Sequence, residues 1–556
     1  MLAGSLLAKL LPRSLFGDRC SRSRLVESRV EREVSQTSLL VLDALIVSGE
    51  LSFLRLAAFR GQPVYRLDLA DFPSFKPEWL RLLRHSPLVS VSLRNCELMS
   101  DAGMAYLGGH HGLTKLDLSG CMRLSDAGLS GISRLASLRE LSLERCEALT
   151  STAPLAELTR LETLSLALCC RLTGLARLSR LERLARLDLG WCRGAADGDV
   201  AALARLPVLT HLQLARVQAG ARSLIALAVR ARQLTVLGLA GCRVAGRGGG
   251  DDGVTNSALA ALAHCASAGR LGCLRTLDLE HSRLVTARGF AVLGALVSLH
   301  ELSVANTAAG DASLAAWGTL TALTRLNLDS TAVTDRGLAA LGGLTQMRAL
   351  DLSDTPVTSA GMVTVARLRG LHTLALSFGG LNGGVCDAGL PALAGLTGLT
   401  NLDLDSRKFS DAGLAALTSL TRLRRLDLFS AHITNSGCAA LRTFTMLEEL
   451  ELCNGGVGDA GARELGQLRA LRSLSLANNV ALSDRAAPSL ARLTRLRELN
   501  LAGARRLTGN GILPFQSLLD LEVLILRGTR VRQAAADRLR LQLPRLHTAA
   551  VGRHPA

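Results

Sequence analysis

An α/β solenoid, built by stacking short strand–helix repeats, is the fold that this sequence predicts. Residues 323–346 read LTRLNLDSTAVTDRGLAALGGLTQ, and related segments recur through most of the 556-residue chain. Leu326 and Leu328 have the two-residue spacing of one strand face, whereas Leu338 and Leu341 have the three-residue spacing of one helix face. Since a strand and a helix this short cannot enclose a core, the copies must stack on one another.

The change from strand to helix within the repeat is predicted at Thr334 and Asp335. A threonine hydroxyl accepts hydrogen bonds from the free N–H groups of a first helical turn, and an acid there suits the helix dipole. The same short polar step recurs from repeat to repeat, so every repeat should start its helix in this way.

The complete repeats open with a leucine, or with Met347, in the pattern L-x-x-L-x-L, and most follow one another after 23 to 25 residues. Their first residues are 88, 113, 138, 161, 184, 209, 234, 274, 299, 323, 347, 371, 399, 423, 447, 471, 496 and 521. This gives about eighteen full repeats. Because helices are wider than strands, the sequence predicts a curved horseshoe with a parallel β-sheet on its concave side and helices on its convex side.

Composition divides the chain into a basic start, a helical cap, the repeats and a short end. The predicted segments are a basic leader or tail at 1–24, a helical cap at 25–63, repeats at 64–545 with glycine-rich insertions at 245–253 and 378–384, and a truncated unit with its tail at 546–556.

Six cysteines occupy one place in the repeat, the ninth residue from its first leucine. They are Cys96, Cys121, Cys146, Cys169, Cys192 and Cys242. Identical positions in stacked repeats should form a ladder of small buried side chains. This pattern, and the absence of any Asn-x-Ser/Thr sequence, favours a reducing intracellular compartment over a secreted one.

The segments CELMSDAGMAYL (Cys96–Leu107) and CMRLSDAGLSGI (Cys121–Ile132) resemble the cysteine-containing leucine-rich repeat of intracellular, ribonuclease-inhibitor-like proteins. The resemblance covers roughly residues 64 to 546. It implies protein binding, because many such proteins are the substrate-binding arms of F-box ubiquitin ligases. Residues 11–16, LPRSLF, resemble the opening of an F-box, but residues 17–60 do not match its later part.

We expect a cytoplasmic or nuclear protein. The alternative is an organelle, because residues 1–24 are rich in arginine, contain serine and carry one acid, as transit peptides do. No apolar run of 18 residues is free of charge, so no membrane span is expected.

The third, fifth, seventh and eighth positions of each repeat lie between or after the leucines, so we expect them on the concave face. In the later repeats these positions are rich in acids and hold two phenylalanines, and an earlier repeat has a tryptophan there. The candidate protein-binding residues are Trp191, Asp278, Glu280, Asp329, Asp351, Asp354, Phe378, Asp403, Asp405, Asp427, Phe429, Glu449 and Glu451. The alternative interpretation is that the aspartates are solvated residues of the repeat consensus.

The net charge of +17 would suit nucleic acid, but many arginines precede the strands, where they suit helix C-termini. Nucleic acid is therefore not expected as the main ligand. The glycines at 248–253 belong to an insertion and are followed by acids that repel phosphate, and no CxxC pair or nucleophile motif occurs. We expect no enzyme activity and no cofactor or metal.

The sequence therefore predicts an intracellular scaffold that binds a protein partner, with a basic partner segment on the acidic part of the concave face. Its most specific form is a substrate-recognition subunit of a ubiquitin ligase, with a ligase adaptor as a second partner. The alternatives are a structural subunit of a large assembly and, less favoured, an RNA-associated organelle protein.

Overall fold

A computed structural model describes residues 52–57, 59–60, 63–72, 75–242, 253–378, 384–406 and 408–551. The predicted leader, most of the predicted cap and nearly all of both glycine-rich insertions lie outside these residues. Contacts between Cα atoms divide the chain into two compact units, Met1–Val254 and Thr255–Ala556. The predicted segment boundaries and the horseshoe curvature stay predictions.

The first unit contains short parallel strands that alternate with helices. Its strands are β1 (Arg66–Asp68), β2 (Ser90–Ser92), β3 (Lys115–Asp117), β4 (Glu140–Ser142), β5 (Thr163–Ser165), β6 (Arg186–Asp188), β7 (His211–Gln213) and β8 (Val236–Gly238). Its α-helices are Phe53–Ala57, Asp101–Leu107, Asp126–Ile132, Asp197–Leu203 and Ala221–Arg230, and its 3-10 helices are Pro77–Leu83, Ala153–Glu157 and Leu175–Arg180. Consecutive strands pair in register, as Leu116 with Leu141.

The second unit repeats the same alternation. Its strands are β9 (Thr276–Asp278), β10 (Glu301–Ser303), β11 (Arg325–Asn327), β12 (Ala349–Asp351), β13 (Thr373–Ala375), β14 (Asn401–Asp403), β15 (Arg425–Asp427), β16 (Glu449–Glu451), β17 (Ser473–Ser475), β18 (Glu498–Asn500), β19 (Val523–Ile525) and β20 (Thr548–Ala550). Its α-helices are Asn256–Ser267, Ala287–Ala291, Asp311–Trp317, Asp335–Leu338, Met362–Val365, Leu390–Leu393, Asp411–Ala415, Asn435–Leu441, Asp459–Leu465, Ala487–Leu490 and Gln533–Gln542. Its 3-10 helices are Val292–Ala295, Ala339–Gly343, Ser359–Gly361, Asp387–Gly389, Asp484–Ala486 and Leu513–Ser517.

The repeat register predicted from the leucines is confirmed. The strands β2 to β19 fall in the eighteen repeats, while β1 precedes the first complete repeat and β20 lies in the truncated unit at 546–556. Each strand is only three residues long and runs from the third to the fifth position of its repeat. Neighbouring strands are parallel, as β11 is to β12, because the chain returns through a helix before the next strand begins.

The core of each unit consists of the leucines that define the repeat. Leu326 is 2% exposed and Leu338 and Leu341 are fully buried, whereas the neighbouring Arg325 and Asn327 remain partly open to solvent. Strand alternation explains this difference, since side chains two residues apart share a face. Every repeat thus presents its third and fifth positions on one surface, which we call the open sheet face.

The helix start combines the predicted cap with a bridge between repeats that the sequence analysis did not predict. Thr334 caps its own helix by accepting a hydrogen bond from the Arg336 N–H. The carboxylate of Asp311, in the preceding repeat, accepts bonds from the Thr334 N–H (2.8 Å) and hydroxyl (2.7 Å). Asp335 accepts the equivalent bonds from Thr358, so the bridge passes from one repeat to the next.

The predicted cysteine ladder is present in the first unit, and its thiols are hydrogen-bonded. The Sγ of Cys169 donates to the carbonyl of Leu143 (3.1 Å) in the preceding repeat, and Cys146 does the same to Leu118 (3.3 Å). Burial raises the pKa of the Cys169 thiol to about 12. These thiols therefore fill the core and donate hydrogen bonds to backbone carbonyls. They are unsuited to nucleophilic chemistry, which needs the thiolate.

The backbone adopts the left-handed conformation at the eighth position of most repeats. Asn306 (φ 58°) and Asn478 (φ 61°) tolerate this conformation, as does Gly503 (φ 74°). Trp191 (φ 66°) and Phe378 (φ 54°) occupy the same position, although bulky side chains disfavour it. With Asp354 (φ 49°), three of the predicted site residues thus lie at left-handed backbone positions.

Candidate functional site

Three carboxylates lie side by side on the open sheet face of the second unit. Asp403, Asp427 and Glu451 occupy the fifth positions of β14, β15 and β16, where Asp403 pairs in register with Asp427 and Asp427 with Glu451. Neighbouring strands are about 4.8 Å apart, so three like charges follow one another at nearly the closest spacing that a sheet allows. We call these three residues the acidic column.

The acidic column lies in a surface depression of about 360 Å³. The side chains at the two ends of the acidic column are short. They are Ala375 on β13 and Ser475 on β17. The depression also contains one base, Arg425, whose Nε lies 3.0 Å from a carboxylate oxygen of Glu449. That base is therefore already paired with an acid outside the column, and the column keeps its surplus negative charge.

The middle residue of the acidic column ionises with difficulty. Burial raises the pKa of Asp427 to about 7, the carboxylates of Asp403, Glu451 and Asp405 add to the rise, and the hydrogen bond donated by the Phe429 N–H opposes it. A carboxylate in this state gains from an incoming cation, because the cation stabilises the ionised form.

A second depression of about 360 Å³ lies on the same face around β9 to β12 and includes Asp278, Glu280 and Asp351. Its acids are better satisfied than the acidic column. Glu280 accepts hydrogen bonds from the Ser303 hydroxyl (2.7 Å) and the Asn327 amide (3.3 Å). Burial also raises the pKa of Asp278. These internal partners make this depression the weaker candidate for a cationic ligand.

Aspartates at the fifth position also have a local structural role. Asp351 accepts a hydrogen bond from the Ser353 N–H (2.9 Å). Asp403 and Asp427 likewise each accept a hydrogen bond from the backbone N–H two residues later in the chain. Asn327 and Asn500 make the equivalent bond in their repeats. Aspartate is therefore favoured at this position as a strand-end acceptor, whatever it binds.

The seventh-position acids are more enclosed than the sequence analysis expected. Asp405 is only 8% exposed, and its carboxylate accepts the Ser430 N–H (3.0 Å), so it is held inside the turn. Burial raises the pKa of Asp329, and nearby Asp351 and Asp354 add to this, although a bond from the Ser330 hydroxyl opposes it.

The two predicted phenylalanines are on the surface. Phe378 is 66% exposed and Phe429 is 39% exposed. Phe429 lies two residues after Asp427, the acidic-column residue of β15. Its backbone N–H donates a hydrogen bond to the Asp427 carboxylate. An exposed aromatic ring beside a charged depression can cover the aliphatic stem of a bound lysine or arginine.

Trp191 belongs to the first unit and is flanked by two bases that the sequence analysis did not assign to it. The guanidinium carbons of Arg193 and Arg216 lie 5.5 Å and 5.2 Å from the centroid of its ring. Both distances are within the range of cation–π interactions. The sequence contained one usable signal, since Arg216 has the same eighth position in the next repeat as Trp191 has in its own.

The described residues contain no group of three or more His, Cys, Asp or Glu side chains with the geometry to hold a metal ion. Within the same residues, no helix is long and apolar enough to cross a membrane.

Known proteins share the repeat and the fold. Residues 110–133, 319–342 and 419–441 match a family model described as Leucine Rich repeat. No curated protein matches the chain.

Three solved structures that align with this chain are described by their titles as follows. A leucine-rich repeat protein of Leptospira interrogans has 17% identity over 85% of this chain and 97% of its own, with a TM-score of 0.37. An internalin from Listeria monocytogenes has 18% identity over 71% and 83%, with a TM-score of 0.31. The plant peptide hormone receptor RGFR1 in complex with RGF2 has 16% identity over 80% and 78%, with a TM-score of 0.38. The matched segments and the strand–helix repeats around them make each unit of this chain an α/β leucine-rich repeat solenoid.

Proposed function

We propose that this chain is a protein-binding scaffold whose acidic column receives a basic segment of a partner protein. The observation that carries the proposal is the row of Asp403, Asp427 and Glu451 on three adjacent strands, in a depression whose one arginine is already paired. Of the other residues on the candidate list, Glu449 lines the same depression, whereas Trp191 belongs to the other unit.

A bound cation would stabilise the ionised form of Asp427, which is unfavourable in the free protein. Partial burial and the neighbouring acids make the ionised form of Asp427 unfavourable and raise its pKa to about 7. A lysine or arginine side chain in the depression supplies the missing positive charge, and the exposed ring of Phe429 lies beside it. The short side chains of Ala375 and Ser475 leave room for an extended segment that crosses the strands.

The experiment compares two charge-matched triple variants. Asp403→Asn, Asp427→Asn and Glu451→Gln together remove the charge of the acidic column, and the two asparagines keep the strand-end acceptor that Asn327 and Asn500 provide elsewhere. The control combines Glu157→Gln, Glu182→Gln and Asp537→Asn, three exposed acids outside the candidate set.

The probe is an eight-residue lysine- and arginine-rich peptide, and its affinity is measured by calorimetry at low and moderate salt. We expect the column variant to bind about tenfold or more weakly and with a flatter salt dependence, while the control binds as the wild type does. Equal losses in both variants would leave only a general charge effect and remove the proposal.

The pH dependence of the same binding is a second test. Because Asp427 is largely protonated below about pH 7, the affinity for the basic peptide should rise between about pH 6 and pH 8 and then level off. Asp427→Asn should remove most of this rise. A rise that persists unchanged in Asp427→Asn would assign the titration to another group.

The cellular role is tested by affinity purification of the full chain. The ubiquitin-ligase hypothesis predicts recovery of adaptor and cullin subunits, whereas the structural-subunit hypothesis predicts stoichiometric recovery of one stable complex. The F-box-like residues 11–16 lie outside the described part of the chain, so the ligase hypothesis stays a prediction.

A further inference from the structure

We propose that Trp191, Arg193 and Arg216 form a second docking surface, in the first unit, for a short acidic segment of a partner protein. We call these three residues the Arg–Trp–Arg cluster. Its charge preference is opposite to that of the acidic column, and it does not depend on that column being a binding site.

The cluster is built from two neighbouring repeats. Trp191 and Arg193 follow β6, and Arg216 follows β7 at the position equivalent to Trp191. The backbone joins the two repeats here, because the Trp191 N–H donates to the Ala215 carbonyl (2.6 Å). Both guanidinium carbons lie within 5.5 Å of the centroid of the indole ring. The ring therefore holds two charged groups near one another at the surface.

Trp191 is a costly residue at this position. Its side chain is 39% exposed, and its backbone has a φ of 66°, where asparagine and glycine are the less costly residues. Asn95 and Gly120 occupy the same position in earlier repeats, as do the bulkier Arg145 and Leu168. A strained, exposed aromatic residue of this kind is a reason to look for a function.

The two arginines have no carboxylate partner among the described residues. Both guanidinium groups contact the indole ring, and within the described part of the chain neither forms an ion pair. The fifth-position acid of the same repeat, Asp188, lies on the open sheet face, where its Oδ1 accepts the Gly190 N–H (2.8 Å) and burial raises its pKa. A guanidinium group held against a ring keeps its N–H edge free, and that edge matches a carboxylate.

The surrounding charges favour a short acidic peptide over a nucleic acid. Glu144 and Glu147 follow β4, which is two strands from β6 and so about 10 Å away. A phosphate backbone that continued along the face would meet these acids within about two nucleotides. A peptide that places one or two carboxylates on Arg193 and Arg216 ends before it reaches them, and an apolar residue can contact the exposed ring.

Tryptophan fluorescence provides a direct measurement. The chain has three tryptophans, and Trp79 (7% exposed) and Trp317 (0%) are buried, so a surface ligand should act on the emission of Trp191. The probe is an eight-residue peptide of glycine and serine with one central leucine between two glutamates, and its controls are the counterpart with two glutamines and a single-stranded oligonucleotide. We expect saturable binding of the acidic peptide, with a change in emission, and no binding of the glutamine peptide.

The variants separate the cluster from the net charge of the protein. Arg193→Gln with Arg216→Gln should weaken the acidic peptide about tenfold or more, whereas Arg205→Gln with Arg232→Gln, two exposed arginines of the same unit, should leave the affinity within about twofold. Equal losses in the two double variants, or an oligonucleotide that binds in place of the peptide, would overturn the proposal.

Trp191→Asn separates binding from folding. Asparagine suits the left-handed backbone, so the variant should unfold at the same or a higher temperature while it loses the acidic peptide. Retained peptide affinity would show that the ring has no part in binding. Binding of the basic peptide to the acidic column should be unchanged in all these variants, so failure of one proposal is distinguishable from failure of the other.

Discussion

Asp427 combines two roles that conflict with each other. Its carboxylate completes the end of β15 by accepting the Phe429 N–H, yet it lies between the like charges of Asp403 and Glu451. An asparagine would keep the acceptor and lose the repulsion, as Asn327 and Asn500 do in their own repeats. The charge at this position is therefore kept against stability, which is the usual pattern of a functional residue.

The first prediction concerns the stability of Asp427→Asn. The pKa of Asp427 is about 7 in the native state and near 3.9 in an unfolded chain, so ionisation favours unfolding. The stability that the protonated group contributes is present below about pH 4 and is lost as the pH rises to about 7. At pH 8 the variant should therefore be more stable, by about 1 kcal/mol after allowance for solvent screening.

Thermal unfolding at pH 4 and pH 8 measures this effect. The gain should be present at pH 8 and nearly vanish at pH 4. An equal gain at both pH values would mean that charge is not its cause.

The second prediction concerns Phe378, which occupies a left-handed position with its ring 66% exposed. Asn306, Asn454 and Asn478 hold the same position elsewhere. Phe378→Asn should raise the free energy of unfolding by about 0.5–1 kcal/mol, because it relieves backbone strain and exposes no core. Urea titration measures the change, and Phe429→Asn, at a position without positive φ, is the control. A loss of stability in Phe378→Asn would show that its ring packs against something that holds the fold.

The sequence predicted these residues only in part, for physical reasons that differ between them. Alternation around the leucines placed Asp403 and Asp427 on the open face, because burial of the leucines leaves no other choice. The local hydrogen bond of Asp427 to the residue two positions on was missed, since an aspartate on a strand gives no sign of it. The left-handed eighth position was also missed at Trp191, although the asparagines and glycines at that position in other repeats signal it.

The helix starts are the elements that join one repeat to the next. The Asp311 carboxylate binds Thr334 by two hydrogen bonds, and Gly337 lies directly over Asp311. A Cβ added at Gly337 would lie 2.8 Å from the Cα of Asp311, which is too close for any side chain. This contact explains the glycine of D-x-G segments such as 126–128 and 335–337, for which the sequence analysis gave no reason.

The third prediction compares two glycines of one repeat. Gly337→Ala should lower the free energy of unfolding by about 1–3 kcal/mol, because the new methyl group must displace backbone and weaken the Asp311–Thr334 bridge. Gly343→Ala should be neutral or slightly stabilising, since no atom lies within 4 Å of its added Cβ. Chemical unfolding of both variants measures the difference. Similar losses at the two sites would mean that glycine is needed for its flexibility rather than for this close approach.

The stability of the whole molecule is spread along the chain, because each repeat packs mainly on its two neighbours. Leu426 shows this arrangement, since it is 1% exposed and its strand neighbours are Leu402 and Leu450. Among the described residues, the strands that pair with β15 are its neighbours β14 and β16. Regular spacing of leucines was sufficient to predict this architecture, whereas the division into two compact units depends on contacts that the leucine pattern does not specify.

The fourth prediction is that damage stays local. Leu426→Ala should cost about 2–5 kcal/mol in the repeats around it, through the cavity it leaves. Hydrogen exchange followed by mass spectrometry should show lost protection in β14 to β16 and unchanged protection in β2 to β6. Leu519→Ala, at a leucine that is 59% exposed, is the matched control and should change little. Uniform loss of protection in Leu426→Ala would mean that the chain unfolds as a single cooperative body.

The aspartate bridge makes the repeats interchangeable parts. Asp311 meets Thr334 in the same way as Asp335 meets Thr358, down to the 2.8 Å bond to the backbone N–H. Excision of residues 323–346 would therefore bring Asp311 opposite Thr358 and β10 beside β12. The Asp311 carboxylate could then bind Thr358 with the geometry that the present bridges have. Gene duplication or loss of one such segment changes the length of the protein without demanding a new interface. The number of repeats can therefore change without loss of the fold. What each copy can bind depends on its side chains on the open sheet face.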